Sequence, residues 1–159
     1  MLNVFEQRKL LGMQNKKILG CLCRGTDYLY RRPKEHPVQP DPEEVIIKCT
    51  DILKERNCDL IFLATEDEEI YNKFKKHFGD SLITNNHEFF HDTGTTLLSD
   101  VKQGRDNEKF LRGMEYLVTI YLLSECDCLV AGRTNGSAAV LMLSDGYEYV
   151  YIYDLGYYE

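Results

Sequence analysis

The segment Lys16–Arg24, KKILGCLCR, decides the fold, because it is a short apolar run with a charged residue at each end. Such a run predicts a strand inside a sheet that is covered on both faces. The same character is found in the segments Asp59–Thr65 and Asp127–Ala131. Strands are also predicted at Tyr147–Tyr153 and at the short segment Leu82–Thr84. We therefore expect five strands, numbered in chain order.

Helical signals lie between these strands. Asp41 followed by Pro42 is typical of a helix start, and the apolar spacing that follows predicts a helix to about Arg56. Further helices are predicted from Thr65–Glu68 to about Phe78, from about Asn107 to Cys126, and from Gly136 to Ser144. This alternation predicts an α/β fold over residues 16–159, a Rossmann-like parallel sheet with helices on both faces. Right-handed crossovers favour the strand order 3-2-1-4-5, and residues 1–15 are expected to form an N-terminal helix or linker.

Composition limits the partners and the location of the protein. The chain has 159 residues, a formal net charge of -7 and a pI near 5.1. Nucleic-acid binding needs a basic stripe that neutralises phosphates, and the sequence has none, so nucleic acid is not expected as a partner. The apolar runs are too short for a transmembrane segment, and the N-terminus lacks an apolar leader. We therefore expect a cytoplasmic protein with reduced thiols.

The expected strand order also locates a binding site. The order reverses direction between strands one and four, and ligands of open α/β sheets bind at the carboxyl ends of the strands at such a point. Two segments emerge there, Arg24–His36 after strand one and Gly132–Ser137 after strand four. The sequence therefore predicts a ligand site between these two segments.

The turn Gly132–Ser137, GRTNGS, has the composition of an anion site. Its glycines permit a tight turn, and Thr134 and Ser137 supply hydroxyls beside the amide of Asn135. The N–H groups at the start of a helix favour a phosphate, so Thr134, Asn135, Gly136 and Ser137 are candidate phosphate-binding residues. An ordinary turn with a helix cap is the alternative interpretation.

Arg24-Gly25-Thr26-Asp27 lies where strand one ends. A guanidinium at this place can bind a diphosphate with two donors and keeps its charge when partly buried. Asp27 could orient that guanidinium or accept a hydrogen bond from a sugar or base. The alternative is a structural Arg–Asp pair that closes a loop.

Three motifs together resemble the fucosyltransferase superfamily, which includes the α1,2-, α1,6- and protein O-fucosyltransferases. Gly20–Asp27, GCLCRGTD, is similar to its first motif, and Ile61–Asp67, IFLATED, to its second. Ile120–Val130, IYLLSECDCLV, followed by the turn Gly132–Ser137, is similar to its third. The motifs occur in the family's order over about residues 16–151.

The resemblance implies the C-terminal Rossmann-like domain of a two-domain, GT-B glycosyltransferase. The implied donor is GDP-fucose or a related nucleotide sugar, transferred with inversion to a glycan acceptor without a required cofactor or metal. Arg24 matches the arginine that grips the β-phosphate, and Asp27 matches the motif aspartate, so these two are the candidate catalytic residues. Gly25 and Thr26 join the donor-binding set, and Thr134 with Asn135 matches the small-residue pair at the phosphate. Bacterial polysaccharide biosynthesis is the implied setting.

The sequence departs from the family pattern at several positions. Leu22 replaces the motif histidine, Gly25 replaces the second arginine of the α1,6 enzymes, and Thr119 replaces an aspartate that helps hold guanine. Arg32 stands where the α1,6 enzymes have their catalytic acid. The chain also has the size of one domain, so an N-terminal acceptor domain or a partner chain is implied. A non-catalytic nucleotide- or sugar-binding module is therefore the second hypothesis, and a flavodoxin-like FMN module is the third.

Other reactive side chains have simpler interpretations. The pairs Cys21/Cys23 and Cys126/Cys128 could converge as a zinc site, but Cys-x-Cys within strands gives poor tetrahedral geometry, so we expect no metal. Of the four histidines, His36 alone falls in the expected cleft. Alternating tyrosines near the C-terminus, Tyr147 to Tyr153, are better explained by strand packing than by sugar stacking.

Overall fold

A computed structural model of the protein describes residues 4–25, 32–85, 89–90, 104 and 106–159. Its helices are α1 Val4–Leu10, α2 Pro42–Glu55, α3 Glu68–Phe78, α4 Glu108–Ser124 and α5 Asn135–Leu143, with a 3-10 turn at Gly79–Ser81. Its strands are β1 Ile18–Leu22, β2 Leu60–Ala64, β3 Leu82–Ile83, β4 Cys128–Gly132 and β5 Tyr149–Tyr153. Between β3 and α4, residues 86–88, 91–103 and 105 lie outside the described residues.

The strands form one parallel sheet in the order β3-β2-β1-β4-β5, which confirms the predicted topology. The register aligns Leu22 at the end of β1 with Ala64 of β2 and Ala131 of β4. The carboxyl ends of the three central strands therefore meet at one edge of the sheet. We call this side the carboxyl edge and the opposite side the amino edge.

Both faces of the sheet are buried, as the apolar strands predict. One face packs against α2 and α3, and its core contains Leu19, Cys21, Ile61, Leu63, Val130, Val45, Cys49 and Phe74. The other face packs against α1, α4 and α5, and its core contains Ile18, Leu22, Phe62, Leu129, Met13, Leu122, Leu123 and Val140. The strands alternate between these two cores because successive side chains of a strand point to opposite faces.

Side-chain caps fix where three helices begin. Asp41 accepts a hydrogen bond from the Glu43 N–H at 2.8 Å, and Asp67 accepts one from the Ile70 N–H at 3.1 Å. Thr134 caps α5. Each cap satisfies an N–H group that has no partner within its helix. No helix in the described part of the chain has the length and apolar character needed to cross a bilayer.

The tyrosines of β5 serve packing, as predicted. Tyr149 and Tyr151 lie under α2, with the Arg56 guanidinium 4.7 Å and the Lys48 ammonium 4.4 Å from their ring centroids. Tyr147 was assigned to the strand, but β5 begins at Tyr149. The Tyr147 ring packs against the other core, and its hydroxyl donates to the Leu123 carbonyl at 2.8 Å.

The N-terminal segment packs on the rest of the chain. Met13 is fully buried in the core of the α1, α4 and α5 face. The Arg8 guanidinium of α1 pairs with Glu125 at 2.8 Å. Residues 4–15 are thus tied to the sheet by both apolar and charged contacts.

Candidate functional site

Arg24 extends from β1 at the carboxyl edge and meets Glu66, which follows β2. Arg24 Nε lies 3.5 Å from Glu66 Oε1, and the two side chains are 22% and 16% exposed. The same oxygen accepts a hydrogen bond from the Gly25 N–H at 3.0 Å. One carboxylate therefore fixes both the backbone after β1 and the direction of the guanidinium.

Gly25 is packed too tightly to carry a side chain. A Cβ built on Gly25 would lie 2.5 Å from Asp67 Cβ and 2.7 Å from Asp67 Cγ. Asp67 cannot easily move away, because its carboxylate caps α3. The position of the family's second arginine is thus occupied in space by the cap of the neighbouring helix.

The turn after β4 holds its two hydroxyls in a capping box. Thr134 Oγ1 accepts from the Ser137 N–H at 3.1 Å, and Ser137 Oγ accepts from the Thr134 N–H at 2.9 Å. Ser137 is buried, and its hydroxyl also donates to the Thr134 carbonyl at 2.9 Å. Asn135 is exposed and Gly136 is buried. The N–H groups of these two residues open the helix, so they are the backbone donors that an anion could meet there.

The start of α5 lies against the end of β1. A Cβ on Gly136 would come within 3.2 Å of Leu22 Cδ2 and would contact the hydroxyl of Tyr116 on α4. Leu22, at the position of the family histidine, is 3% exposed and belongs to the core. The start of α5 therefore approaches the last residue of β1, and both predicted segments begin at the carboxyl edge.

Thr119, at the position of the family's guanine-binding aspartate, faces another polar residue. Its hydroxyl lies 3.0 Å from Asn85 Nδ2 and donates to the Glu115 carbonyl at 3.0 Å. Thr119 is 6% exposed and Asn85 is 9% exposed. This buried pair links α4 to the segment that follows β3.

Four of the six cysteines were considered as a metal site, and the fold divides them. Cys21, Cys23 and Cys128 face the core with α2 and α3, whereas Cys126 faces the other core. Burial raises the pKa of the Cys21 and Cys23 thiols well above the usual value. Within the described residues, no three His, Cys, Asp or Glu side chains are placed to hold a metal ion.

Two candidate residues, Thr26 and Asp27, lie outside the described residues, and so does the predicted contact between Asp27 and Arg24. His36, the histidine of the expected cleft, is exposed. Its carbonyl accepts the Tyr158 N–H at 2.9 Å, so the loop after β1 pairs with the C-terminal tail.

Sequence reasoning missed three residues that shape this edge. Glu66 lies just before α3, where acidic residues are common because they favour the helix dipole, so its type alone does not mark it as the partner of Arg24. Tyr116 lies about two turns into the long helix, where no local signal marks it. Gln39 lies in the loop between β1 and α2, yet it is 4% exposed and donates a hydrogen bond to the Arg133 carbonyl. Its burial between two prolines is not encoded in any local pattern.

Solved fucosyltransferase structures have a similar fold. POFUT1 in complex with GDP-fucose matches 94% of this chain and 45% of its own, with a TM-score of 0.56 and 7% identity. NodZ α-1,6-fucosyltransferase soaked with GDP-fucose matches 89% of this chain and 40% of its own, with a TM-score of 0.53 and 15% identity. NodZ from Bradyrhizobium matches over 96% of this chain and 42% of the NodZ chain, with a TM-score of 0.55 and 15% identity.

No protein-family model matches the sequence, and no curated protein sequence matches it. The chain therefore has a fucosyltransferase-like, Rossmann-like fold, and it spans less than half the length of these structures.

Proposed function

We propose that this chain is the donor-binding half of a GT-B glycosyltransferase, which binds GDP-fucose or a related GDP-sugar for inverting transfer to a glycan acceptor. The shared fold supports the proposal, because the matched structures hold GDP-fucose or GDP. The observation that carries it is that β1 and β4 are parallel neighbours, so Arg24 after β1 and the start of α5 after β4 lie at the same carboxyl edge, where this class of sheet binds ligands.

The proposed chemistry is stabilisation of a departing diphosphate. Negative charge builds on the β-phosphate as the bond to the sugar breaks, and donors that are already in place lower the energy of that state. The terminal amino groups of Arg24 would bind this phosphate, while Glu66 holds Nε and so fixes the plane of the guanidinium. The N–H groups of Asn135 and Gly136 would add backbone donors, because the Thr134 and Ser137 hydroxyls cap the helix.

Several parts of the proposal rest on the family resemblance. Asp27 would support Arg24 or the donor, and Thr26 would complete the donor-binding segment. The acceptor would be held by a second domain or a partner chain, and transfer would need no metal. A cytoplasmic role in bacterial polysaccharide biosynthesis belongs to the same set of predictions.

Calorimetry with GDP, GDP-fucose, UDP and FMN tests the proposal. We expect GDP and GDP-fucose to bind, and Arg24→Ala to weaken that binding by about 10–100-fold, the value of one or two charge-assisted hydrogen bonds. Arg8→Ala is the matched control, because Arg8 also pairs with a glutamate but lies at the amino edge. Equal affinity in the Arg24 and Arg8 variants would remove the central claim.

The other outcomes separate the remaining hypotheses. Binding of FMN but not GDP would favour the flavodoxin-like module. Tight GDP-fucose binding without transfer, even when a complementing acceptor domain is supplied, would favour the non-catalytic module.

A further inference from the structure

Gln39 joins the two segments that flank the candidate site. Its Nε2 donates to the carbonyl of Pro37 and to the carbonyl of Arg133, both at 3.1 Å. Pro37 belongs to the loop that follows β1, and Arg133 belongs to the turn that follows β4. One buried side-chain amide thus connects two loops, and the two residues that it joins across them, Gln39 and Arg133, are 94 positions apart in sequence.

The two carbonyls fix the orientation of the Gln39 amide. A flipped amide would set its oxygen against two carbonyl oxygens, which repel it. The true Oε1 is buried without a hydrogen-bond partner among the described residues. It is the nearest atom to the position that a Cβ on Gly132 would take, so the amide fits because residue 132 is glycine.

A buried acceptor without a partner costs folding free energy. An apolar side chain of the same length would avoid that cost, so stability alone does not explain a glutamine here. What the glutamine adds is the pair of bonds to Pro37 and Arg133, which set the distance between the two loops.

The C-terminal tail is hydrogen-bonded to the loop that carries Gln39. The Val38 N–H donates to the Gly156 carbonyl at 2.9 Å, and the Tyr158 N–H donates to the His36 carbonyl at 2.9 Å. The Gln39 N–H also reaches the Tyr158 hydroxyl at 3.4 Å. The backbone around Gln39 is therefore held by hydrogen bonds to the C-terminal tail.

Arg133, whose carbonyl accepts the Gln39 bond, is held by the same tail. Its guanidinium pairs with Asp154 at 3.0 Å and lies 5.1 Å from the Tyr157 ring centroid. The Arg133 carbonyl directly precedes Thr134, the N-cap of α5. Its position therefore sets where the first N–H groups of the helix lie.

We infer that Gln39 is a positioning residue that fixes the turn Gly132–Ser137 relative to the end of β1. The expected effect of Gln39 on diphosphate binding rests on the proposed function, because that function is what makes the turn a diphosphate site. Gln39 acts through the Arg133 carbonyl and is not itself a donor-binding residue.

Amide hydrogen exchange by NMR tests the positioning directly. Gln39→Met keeps the length and removes both bonds, and we expect exchange at Thr134 and Ser137 to speed up by about fivefold or more, the value of one hydrogen bond. Exchange within β2 should not change. Gln14→Met is the control, because Gln14 is exposed. Gln39→Asn, which keeps a polar amide but is one methylene too short to reach both carbonyls, replaces the methionine variant if that variant does not fold.

A double variant tests the contact with Gly132. Gly132→Ala alone should expel the Gln39 amide and weaken GDP binding by about fivefold or more. In a Gln39→Ala background the amide is gone and the nearest remaining described atom is Pro40 Cδ at 3.3 Å, so the same substitution should change affinity by less than about twofold. An equal effect of Gly132→Ala in both backgrounds would overturn the inference.

The two readouts separate this inference from the proposed function. If the unaltered chain binds no GDP, the proposed function fails, while the exchange rates still decide whether Gln39 orders the turn. Unchanged exchange at Thr134 and Ser137 in Gln39→Met would overturn the positioning role even if GDP binds well.

Discussion

The glycines at the carboxyl edge differ from those near the amino edge in what surrounds them. Gly25 and Gly132 each face a side chain from another segment, at a distance that excludes a Cβ. Gly12 and Gly146, which precede β1 and β5, have φ angles of +66° and +133° and no described atom within 4 Å of a Cβ. The first pair is required for close approach between segments, and the second for the direction of the backbone.

The charged pairs at the two edges also differ, in how far their side chains are exposed to water. At the amino edge, Arg8 and Glu125 are 34% and 40% exposed, so their attraction is screened by water. At the carboxyl edge, Arg24 and Glu66 are 22% and 16% exposed. Burying a charged pair costs desolvation free energy, so the pair at the carboxyl edge is the more costly of the two to bury. The greater burial of the pair at the carboxyl edge supports the proposed donor site there.

The largest effect should come from Gly25→Ala. The new Cβ displaces Asp67, so the variant combines local overpacking with loss of the α3 cap, and we expect a loss of about 2–5 kcal/mol of unfolding free energy. Chemical denaturation followed by circular dichroism measures it.

Two other glycines serve as controls for this variant. Gly146→Ala should cost about 1–2 kcal/mol, because its cost is backbone strain without a steric conflict. Gly113→Ala, in helix α4 with open space around it, should stabilise by about 0.5–1 kcal/mol. A Gly25→Ala variant as stable as Gly146→Ala would break the comparison between the edges.

An intermediate effect is expected from Glu66→Ala. The change leaves Arg24 and the Gly25 N–H without this partner, and we expect a loss of about 2 kcal/mol. Glu125→Ala, the matched change at the amino edge, should cost less than about 1 kcal/mol. Thermal unfolding with and without GDP sharpens the test, because a bound diphosphate would return a counter-charge to Arg24. If GDP does not reduce the loss of unfolding temperature in Glu66→Ala, that result would argue against contact between Arg24 and the diphosphate.

The smallest effect is a pH dependence at the amino edge. Burial raises the pKa of Cys58 to about 12, and the hydrogen bond that the Lys17 ammonium donates to Glu148 raises the pKa of Lys17. Both folded-state pKa values lie above the unfolded ones. For Cys58, the stabilisation is therefore complete below about pH 9 and is lost as the pH rises towards about 12.

Unfolding temperatures measured from pH 8 to 12 should therefore fall, and fall less steeply in Cys58→Ala. Arg8→Ala is the control at the same edge, because an arginine keeps its charge over this range. Identical slopes in the unaltered chain and Cys58→Ala would contradict the assignment.

The sequence predicted the fold well because its signals are local. Apolar runs such as Lys16–Arg24 bury both faces of a strand, and caps such as Asp41 define helix starts within a few residues. Chirality of the crossovers then leaves few strand orders, and the predicted order is the observed one. The errors lie at boundaries, as at Tyr147, where an alternating pattern continued past the strand.

The candidate site was predicted in position but not in detail. The switch point placed Arg24 and the turn Gly132–Ser137 at one edge, and the pairing of β1 with β4 puts both at the carboxyl edge. Arg24 pairs with Glu66, and the turn uses its hydroxyls for the capping box. Both details depend on which side chains meet once the strands are in register.

By itself, then, the sequence determined the order of strands and helices, the edge at which the two candidate segments emerge and the resemblance that names a donor. The tertiary structure alone decided that Gly25 lies against Asp67 and that Gln39 bonds to Arg133. The physical reason is that periodicity and capping act over a few residues, whereas these contacts join segments brought together by sheet register and close packing. A glycine in the sequence marks a need for space or for an unusual backbone angle, and only its neighbours in three dimensions show which.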